Sequence, residues 1–273
     1  MHKSVSELLK NQYNSFFLIA GPCAVESYEV CYEVAAVLKD ITSSLGIPFV
    51  FKASIVKANR TRLDSFATIG EEAALSILSR IKQELSIAIT TDVHEITDID
   101  KVKSYIDIIQ IPAFLCRQTF LLQAAGQSGL PVNIKKGQFM DASGMGYAAE
   151  KVINSGKSSV IITERGNSFG YGELIVDMTN IYKMKKQNLN VVMDCTHATQ
   201  RPNNDQGITG GNPEYTETLA RAALSAGANG LFLETHPNPE LALSDGSNMI
   251  DLDSVKTLIE RLHSFSLAIK NVS

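Results

Sequence analysis

Two kinds of segment alternate eight times along this chain of 273 residues, and few folds are compatible with that order. Short runs rich in apolar and β-branched residues are each followed by a longer segment with the apolar spacing of a helix. Each unit takes about 34 residues, which is typical of parallel strands joined by crossover helices. The predicted strands are 16–20, 48–53, 87–92, 107–111, 131–135, 159–163, 190–194 and 230–234.

The helical segments complete the pattern. Eight units favour closure of the sheet, because a (β/α)8 barrel needs about 250 residues, although an open doubly wound sheet uses the same alternation. We therefore predict an α/β fold, a single (β/α)8 TIM barrel with a short N-terminal extension, in one domain over 1–273. The predicted helices are 27–45, 71–85, 97–105, 117–126, 146–154, 175–187, 215–226 and 253–269, with a short amphipathic helix within 1–14.

Composition narrows the class of protein further. Hydrophobic residues make up 44% and charged residues 20%, so a sizeable core is expected and general disorder is excluded. A net charge of −4 argues against a broadly basic nucleic-acid binder. Four scattered cysteines favour a reducing compartment, and neither a membrane span nor a signal peptide is recognisable. We expect a cytoplasmic protein with no nucleic-acid or membrane partner.

A barrel places its active site at the carboxyl ends of the strands, and cationic residues cluster there in this sequence. Five like charges in one cavity repel each other, so the cluster favours a ligand with several negative charges, such as a phosphate together with a carboxylate. The alternative is that some of these side chains pair with Asp92 and Glu234 or extend into solvent. The five residues are Lys52, Lys57, Arg60, Lys135 and Arg165.

A second set at the same end has the ligand types of a metal site. Cys23, His197, Glu234 and Asp245 follow strands 1, 7 and 8, which adjoin in a closed barrel. Mixed sulfur, nitrogen and oxygen ligands suit zinc, iron(II), manganese or cobalt. The alternative for a lone cysteine or histidine is a core position, which we assign to Cys31 and Cys195 and leave open for Cys116. His94 and His236 remain open as ligands or supporting residues.

Several strings of this sequence resemble the 3-deoxy-D-manno-octulosonate 8-phosphate synthase family, also called 2-dehydro-3-deoxyphosphooctonate aldolase. They occur in order over nearly the whole chain, and KANR followed by PAFLCRQT is the most specific. The matching strings are IAGPCAVES (19–27), FKASIVKANR (51–60), TDVHE (91–95), IIQIPAFLCRQT (108–119), NIKKGQF (133–139), ERGNSFGY (164–171), DCTHATQ (194–200) and GLFLETHPNPELALSDG (230–246).

The resemblance implies a reaction and a set of roles. Phosphoenolpyruvate and D-arabinose 5-phosphate condense with water to give the eight-carbon sugar acid phosphate, a lipopolysaccharide precursor, and phosphate. Asn59 and Arg60 correspond to contacts with arabinose 5-phosphate, and Arg117 to an arginine from a neighbouring subunit, which implies a homo-oligomer, usually a tetramer. The residues that correspond to the phosphoenolpyruvate site are Lys52, Ser54, Lys57, Gln110, the backbone of Ala113, Lys135 and Arg165.

The residue at position 23 implies the metal-dependent class, because members with asparagine there work without metal. His197, Glu234 and Asp245 match the other ligand positions. His197, Asp92 and Lys57 are the candidate catalytic residues, although Asp92 is equally well explained as a counter-charge to Lys57 or Arg60. Two departures, Thr61-Arg62 and Gly137, bear on sugar-phosphate binding.

Three other classes of protein share features of this sequence. The related 3-deoxy-arabino-heptulosonate 7-phosphate synthase, which uses erythrose 4-phosphate, shares the barrel, but KANR and PAFLCRQT favour arabinose 5-phosphate. A class II aldolase holds its metal with several histidines, and this chain has 5 in all. A phosphosugar-binding sensor has no need for the four metal-ligand residues together.

Overall fold

Eight parallel strands close into a barrel in the computed structural model, which describes residues 2–60, 62–169, 172–201 and 210–270. The first and last strands pair in parallel from Phe17 opposite Gly230 to Gly21 opposite Glu234, which closes the sheet. This confirms the predicted (β/α)8 TIM barrel. The strands are β1 Phe17–Gly21, β2 Phe49–Lys52, β3 Ala88–Asp92, β4 Ile108–Ile111, β5 Val132–Lys135, β6 Val160–Glu164, β7 Asn190–Asp194 and β8 Gly230–His236.

Helices surround the barrel in the predicted order. Among the described residues, no helix is both long enough and apolar enough to cross a membrane. The helices are α1 Lys3–Leu9, α2 Tyr28–Leu45, α3 Glu71–Leu85, α4 Ile96–Val102, α5 Thr119–Gln127, α6 Ala142–Ile153, α7 Thr179–Lys185, α8 Thr216–Ser225 and α9 Leu252–Lys270.

Three predicted helices need correction. The helix predicted at 175–187 begins at Thr179, because Leu174–Ile175 pairs with Asn167–Ser168 in a short antiparallel hairpin. The helix predicted at 146–154 begins at Ala142, since the Asp141 side chain accepts a 2.6 Å hydrogen bond from Gly144 N and caps the first turn. The helix predicted at 117–126 begins at Thr119 and ends at Gln127, and a separate 3₁₀ turn, Ala113–Leu115, precedes it.

The apolar residues form two separate cores. The larger lies between the barrel and the outer helices. The smaller fills the barrel interior, where Val5 and Leu8 of α1 pack together with Phe17, Val192 and Phe232. The N-terminal segment therefore packs onto the barrel interior, a role that the sequence left undecided.

Side chains that face the barrel interior change in character along the strands. In β7 the interior position passes from Val192 to Asp194, and in β8 from Phe232 to Glu234. The alternation of side chains along a strand puts apolar residues at one depth and charged residues at the carboxyl end. Gly21 ends β1 at a close approach, because a Cβ there would lie 2.0 Å from the carbonyl oxygen of Lys52. The barrel thus carries a charged layer at one end.

Candidate active site

A cavity of about 930 Å³ opens at the carboxyl ends of the strands. It is lined by most of the residues that the sequence singled out. Cys23 and Glu234 are fully buried and contact the residues of its wall. The predicted residues in the lining are Lys52, Lys57, Asn59, Arg60, Asp92, Gln110, Ala113, Lys135, Arg165, His197 and Asp245.

The predicted metal ligands come together at this cavity. One ligand atom each from Cys23, Glu234 and Asp245 lies within 4.8 Å of the others. His197 Nε2 lies 3.5 Å from Glu234 Oε2 and 3.7 Å from Asp245 Oδ2. In a tetrahedral site with bonds of about 2.0–2.3 Å, neighbouring ligand atoms are roughly 3.4 Å apart. Cys23, Glu234 and Asp245 therefore approach the spacing that one divalent ion requires, and His197 Nε2 faces two of these three ligands.

The surroundings of these atoms also fit a cation. Glu234 Oε2 is buried and has no hydrogen-bond partner within the described part of the chain, a costly state for a carboxylate oxygen unless a cation binds it. Burial, together with the nearby Glu234 carboxylate, raises the pKa of the Cys23 thiol to about 12. A coordinated thiol is deprotonated. The types of donor atom and the unpartnered oxygen of Glu234 thus fit a divalent transition metal.

Asp194, which the sequence analysis did not select, orients His197. Its Oδ2 lies 2.8 Å from His197 Nδ1 and its Oδ1 accepts a 2.8 Å hydrogen bond from the backbone N–H of His197. A proton on Nδ1 leaves Nε2 as the acceptor that faces Glu234 and Asp245. The alternation along β7 offered a signal, because it places Asp194 on the same interior face as Val192.

Internal carboxylates partly balance the cationic cluster. Lys135 Nζ donates a 2.6 Å hydrogen bond to Asp194 Oδ2, and Lys52 Nζ donates one of 2.7 Å to Glu234 Oε1. Burial lowers the pKa of Lys135, while Asp194 opposes that shift. The alternative in which these side chains pair with Asp92 and Glu234 therefore holds for Lys52, whereas Lys135 pairs with Asp194, which that alternative did not include.

Arg165 lies in the wall between β6 and β7. It is 4% exposed, and its Nη2 donates hydrogen bonds to the carbonyl oxygen of His197 (3.1 Å) and to Gln200 Oε1. Its Nη1 is buried without a hydrogen-bond partner among the described residues. A guanidinium held on one edge with its other edge unsatisfied is suited to an anionic oxygen.

A chain of hydrogen bonds crosses the strands beneath the cavity and ends on Asp92. Thr163 Oγ1 donates to Asn133 Oδ1 (2.7 Å), and Asn133 Nδ2 donates to Gln110 Oε1 (2.9 Å). Gln110 Nε2 and Ser54 Oγ then both donate to the Asp92 carboxylate. Burial raises the pKa of the Asp92 carboxyl, but Lys52 and Lys57 outweigh it and hold that pKa below its usual range. Asp92 is thus an ionised hydrogen-bond acceptor. This favours a role as a counter-charge to the lysines over a role as a general acid.

Ser244 connects Arg60 to the candidate metal ligands. Its hydroxyl lies 3.0 Å from Cys23 Sγ and also accepts a hydrogen bond from Arg60 Nη2. Arg60 Nε donates to the carbonyl oxygen of Phe66 (2.7 Å), so the guanidinium is held at both ends. Ser244-Asp245-Gly246 resembles the metal-dependent class in sequence, but this resemblance does not indicate the contacts of the Ser244 hydroxyl.

Some predicted residues lie outside the cavity wall. Ser54 is buried against Asp92, and Arg117 lines a separate cleft of about 390 Å³. Of the open histidines, His94 lines the cavity, while His236 Nε2 lies 3.4 Å from Glu26 Oε2. Thr61 falls outside the described residues, and Arg62 is exposed and paired with Asp64.

The remaining cysteines occupy core positions. Cys31, Cys116 and Cys195 are buried among apolar residues between the barrel and the helices. Cys195 faces this layer while its neighbour Asp194 faces the barrel interior, as alternation predicts. All four cysteines are unpaired.

The fold and cavity define a TIM-barrel enzyme with its active site at the carboxyl ends of the strands. The chain belongs to the DAHP synthetase I family, whose model matches residues 4–270.

Similar proteins carry a more specific name. A 2-dehydro-3-deoxyphosphooctonate aldolase from Nitrosococcus oceani is 45% identical over 256 residues, which cover 94% of this chain and 91% of the relative. Proteins of the same name from Hydrogenovibrio crunogenus, 45% identical over 93% of this chain and 92% of the relative, and from Legionella pneumophila, 44% identical over 94% of each, are similar. These names match the family that the sequence motifs resemble.

Proposed function

We propose that this protein condenses phosphoenolpyruvate with D-arabinose 5-phosphate and water to give 3-deoxy-D-manno-octulosonate 8-phosphate and phosphate. The observation that carries the proposal is the identity of 44–45% over 93–94% of the chain to proteins named for this activity. The cavity supports it, because the lining provides cationic groups from several loops for two anionic substrates.

Lys135 and Arg165 bind the phosphate and carboxylate of phosphoenolpyruvate in this proposal. Both line the cavity, and Arg165 Nη1 is the buried donor that still needs an acceptor. Lys52 and Lys57 complete the cationic wall, with Ser54, Gln110 and the backbone of Ala113 beside them. In the reaction, carbon 3 of the enol phosphate attacks the sugar aldehyde, water adds at carbon 2, and phosphate leaves.

Asn59 and Arg60 form the sugar-phosphate end of the site. Arg60 is fixed by Ser244 and the carbonyl oxygen of Phe66, which leaves its guanidinium preorganised for a phosphate. The variant Arg60→Met is expected to raise the KM for arabinose 5-phosphate about 10- to 100-fold with a smaller change for phosphoenolpyruvate. Arg80→Met, on an exposed helical ion pair, is the matched control.

Cys23, His197, Glu234 and Asp245 would hold the divalent metal. When bound, a metal of this kind supplies Lewis acidity toward an aldehyde oxygen or a water molecule. The donor set suits zinc, iron(II), manganese or cobalt and does not select among them.

The candidate catalytic groups of the chain are His197, Lys57 and Asp92. Asp194 and His197 form an oriented pair at the wall. Burial lowers the pKa of Lys57, but Cys23 and the carboxylates of Glu234, Asp92 and Asp245 outweigh it and hold that pKa above the usual range. We propose that Lys57 contributes positive charge at the reacting atoms and that Asp92 balances it.

The test is phosphate release from phosphoenolpyruvate with arabinose 5-phosphate, measured after chelation and after addition of manganese, zinc or iron(II). We expect activity that is lost with chelator and recovered with metal. Activity indifferent to chelator contradicts the metal site but not the reaction. Activity with erythrose 4-phosphate alone supports the heptulosonate synthase instead, and ligand binding without turnover supports a sensor.

We also propose a homotetramer in which Arg117 acts on the site of a neighbouring subunit. Arg117 is exposed and lines a cleft separate from the main cavity, which is compatible with that role. Large apolar side chains near it are exposed, among them Phe114, Phe120 and Tyr147. Mixed tetramers of Arg117→Ala and Lys135→Met should recover activity that neither variant has alone. The unpaired cysteines are compatible with the proposed cytoplasmic location.

A further inference from the structure

A buried ion pair lies just behind the cavity wall and has no role in the proposed reaction. Lys136 Nζ lies 3.1 Å from Glu164 Oε1, and both side chains are completely buried. Their chain neighbours Lys135 and Arg165 line the cavity. Since successive residues of a strand face opposite sides, Lys136 and Glu164 face away from the cavity, toward the helices.

Lys136 joins the segments that follow β5 and β6. Besides Glu164, its ammonium group donates hydrogen bonds to the carbonyl oxygens of Met140 and Gly166, each at 3.3 Å, and to Asn167 Oδ1 at 2.7 Å. Met140 belongs to the segment after β5, and Gly166 and Asn167 to the segment after β6. One ammonium group therefore holds both segments at a fixed separation.

Glu164 fixes the backbone of the arginine next to it. Its Oε1 accepts hydrogen bonds from the backbone N–H groups of Arg165 (2.9 Å) and Gly166 (2.7 Å). The Oε2 atom is buried without a partner in the part of the chain that the structure describes. Three donors thus meet at Glu164 Oε1, namely these two N–H groups and Lys136 Nζ. These contacts fix the backbone at Arg165.

Asn167 adds a second connection between the same segments. Its Nδ2 donates to the carbonyl oxygens of Gln138 (3.1 Å) and Met140 (2.7 Å). Gln138 lines the cavity. The network of Lys136, Glu164 and Asn167 therefore connects residues of the wall on both strands.

The chemistry of the pair argues for a geometric role. A buried ion pair contributes little net stability, because the desolvation of both charges offsets their attraction, and apolar residues of similar size often serve stability as well or better. Hydrogen bonds from a charged group to several backbone carbonyls instead fix relative positions. We therefore expect a buried ion pair of this kind where the relative positions of two segments affect ligand binding.

We propose that Lys136 and Glu164 are positioning residues for phosphoenolpyruvate, which act by fixing Lys135 and Arg165 in the cavity wall. This inference rests on the proposed function. It assigns to the pair no contact with substrate and no proton transfer.

The test is the double variant Lys136→Met with Glu164→Gln, which removes both charges together. Glutamine retains an oxygen for the two backbone N–H groups, and methionine fills the space of the lysine stem. We expect a KM for phosphoenolpyruvate raised on the order of ten-fold, with the KM for arabinose 5-phosphate and the thermal midpoint close to those of the wild type. An unchanged KM for phosphoenolpyruvate in the folded variant overturns the proposal.

Two further variants complete the design. Lys82→Met removes the ion pair of Lys82 with Asp107, away from the cavity lining, and is expected to leave both KM values unchanged. Asn167→Ala retains both charges and serves if the double variant does not fold. Its KM for phosphoenolpyruvate is expected to rise in the same direction, and an unchanged value overturns the proposal.

Calorimetric titration with phosphoenolpyruvate separates this inference from the proposed function. A wild-type protein that binds phosphoenolpyruvate without turnover contradicts the proposed function, and the positioning role is then judged from the dissociation constant alone. Weaker binding in the double variant but not in Lys82→Met supports it. Equal binding in all three proteins overturns it.

Discussion

Glu234 accepts a hydrogen bond of 2.7 Å from Lys52 Nζ through Oε1, and its other oxygen, Oε2, faces His197 Nε2 at 3.5 Å. Lys52 lies at the end of β2, and Glu234 lies in β8. One buried carboxylate therefore connects the cationic wall to the candidate metal ligands. A change at Glu234 affects both.

The variant Glu234→Gln should lose both metal and stability. Glutamine leaves the buried Lys52 ammonium without its counter-charge, at an expected cost of about 3–5 kcal/mol in the free energy of unfolding. Urea unfolding of the metal-free protein measures this cost, and elemental analysis measures bound metal. Glu33→Gln, at an exposed helical position, is the control. A variant as stable as the wild type contradicts the assigned pairing.

The Cys23→Ser variant tests the sulfur ligand directly. With cobalt(II) bound, the wild type should show a sulfur-to-cobalt charge-transfer band in the near ultraviolet, and the variant should lack it, because a hydroxyl is a poor substitute for a thiolate. Cys31→Ala, at a core position, should retain the band. A band that persists in Cys23→Ser places the sulfur ligand elsewhere.

Asp194→Asn should weaken metal binding without removing a ligand. Asparagine no longer fixes the proton on His197 Nδ1, and the loss of a carboxylate that orients a metal-binding histidine lowers metal affinity about 10- to 100-fold. Competition with a chromogenic chelator measures the affinity. The control is Asp177→Asn, in which asparagine retains the acceptor for the backbone N–H of Thr179. Equal affinities of wild type and Asp194→Asn exclude the orienting role.

Alkaline pH should destabilise the protein in part through Cys31. Burial raises the pKa of its thiol from 9.0 to about 12. Above pH 9 the unfolded chain therefore binds fewer protons than the folded one, and stability falls as pH rises toward 12. Between about pH 8 and pH 10 the wild type should lose about 1 kcal/mol more than Cys31→Ala in denaturant unfolding. Parallel pH profiles of the two proteins would refute the shift.

The strands and the main site residues were predictable because each had a periodic or positional signal. Apolar runs at regular intervals located the strands, and the fold rule then selected Lys52, Lys135 and Arg165 at their ends. The position of the N-terminal segment could not be predicted in this way. Its contacts with Phe17 and Phe232 depend on the closed barrel, which no local pattern describes.

Supporting residues were missed for a physical reason. Ser244 acts through contacts with Cys23 and Arg60, which are distant in sequence, so no local pattern indicates its role. For Asp194, the alternation along β7 indicates an interior position but not the contact with His197. The predicted ends of some helices were wrong for local reasons. Gly144 and Gly146 are typical of a loop, but the Asp141 side chain caps the first turn of α6 and the helix includes both glycines. The Asp177 side chain accepts hydrogen bonds from the Thr179 hydroxyl and backbone N–H, and α7 begins at Thr179.

The change from apolar to charged residues along the barrel interior has a consequence for the electric field in the cavity. Lys135 Nζ lies 3.7 Å from the centre of the Phe232 ring, with apolar packing beneath it. On that side the charges face a medium of low polarisability, and mobile salt ions approach them only through the open mouth. The attraction for an anion is therefore directed along the barrel axis and is less sensitive to ionic strength than that of a convex surface.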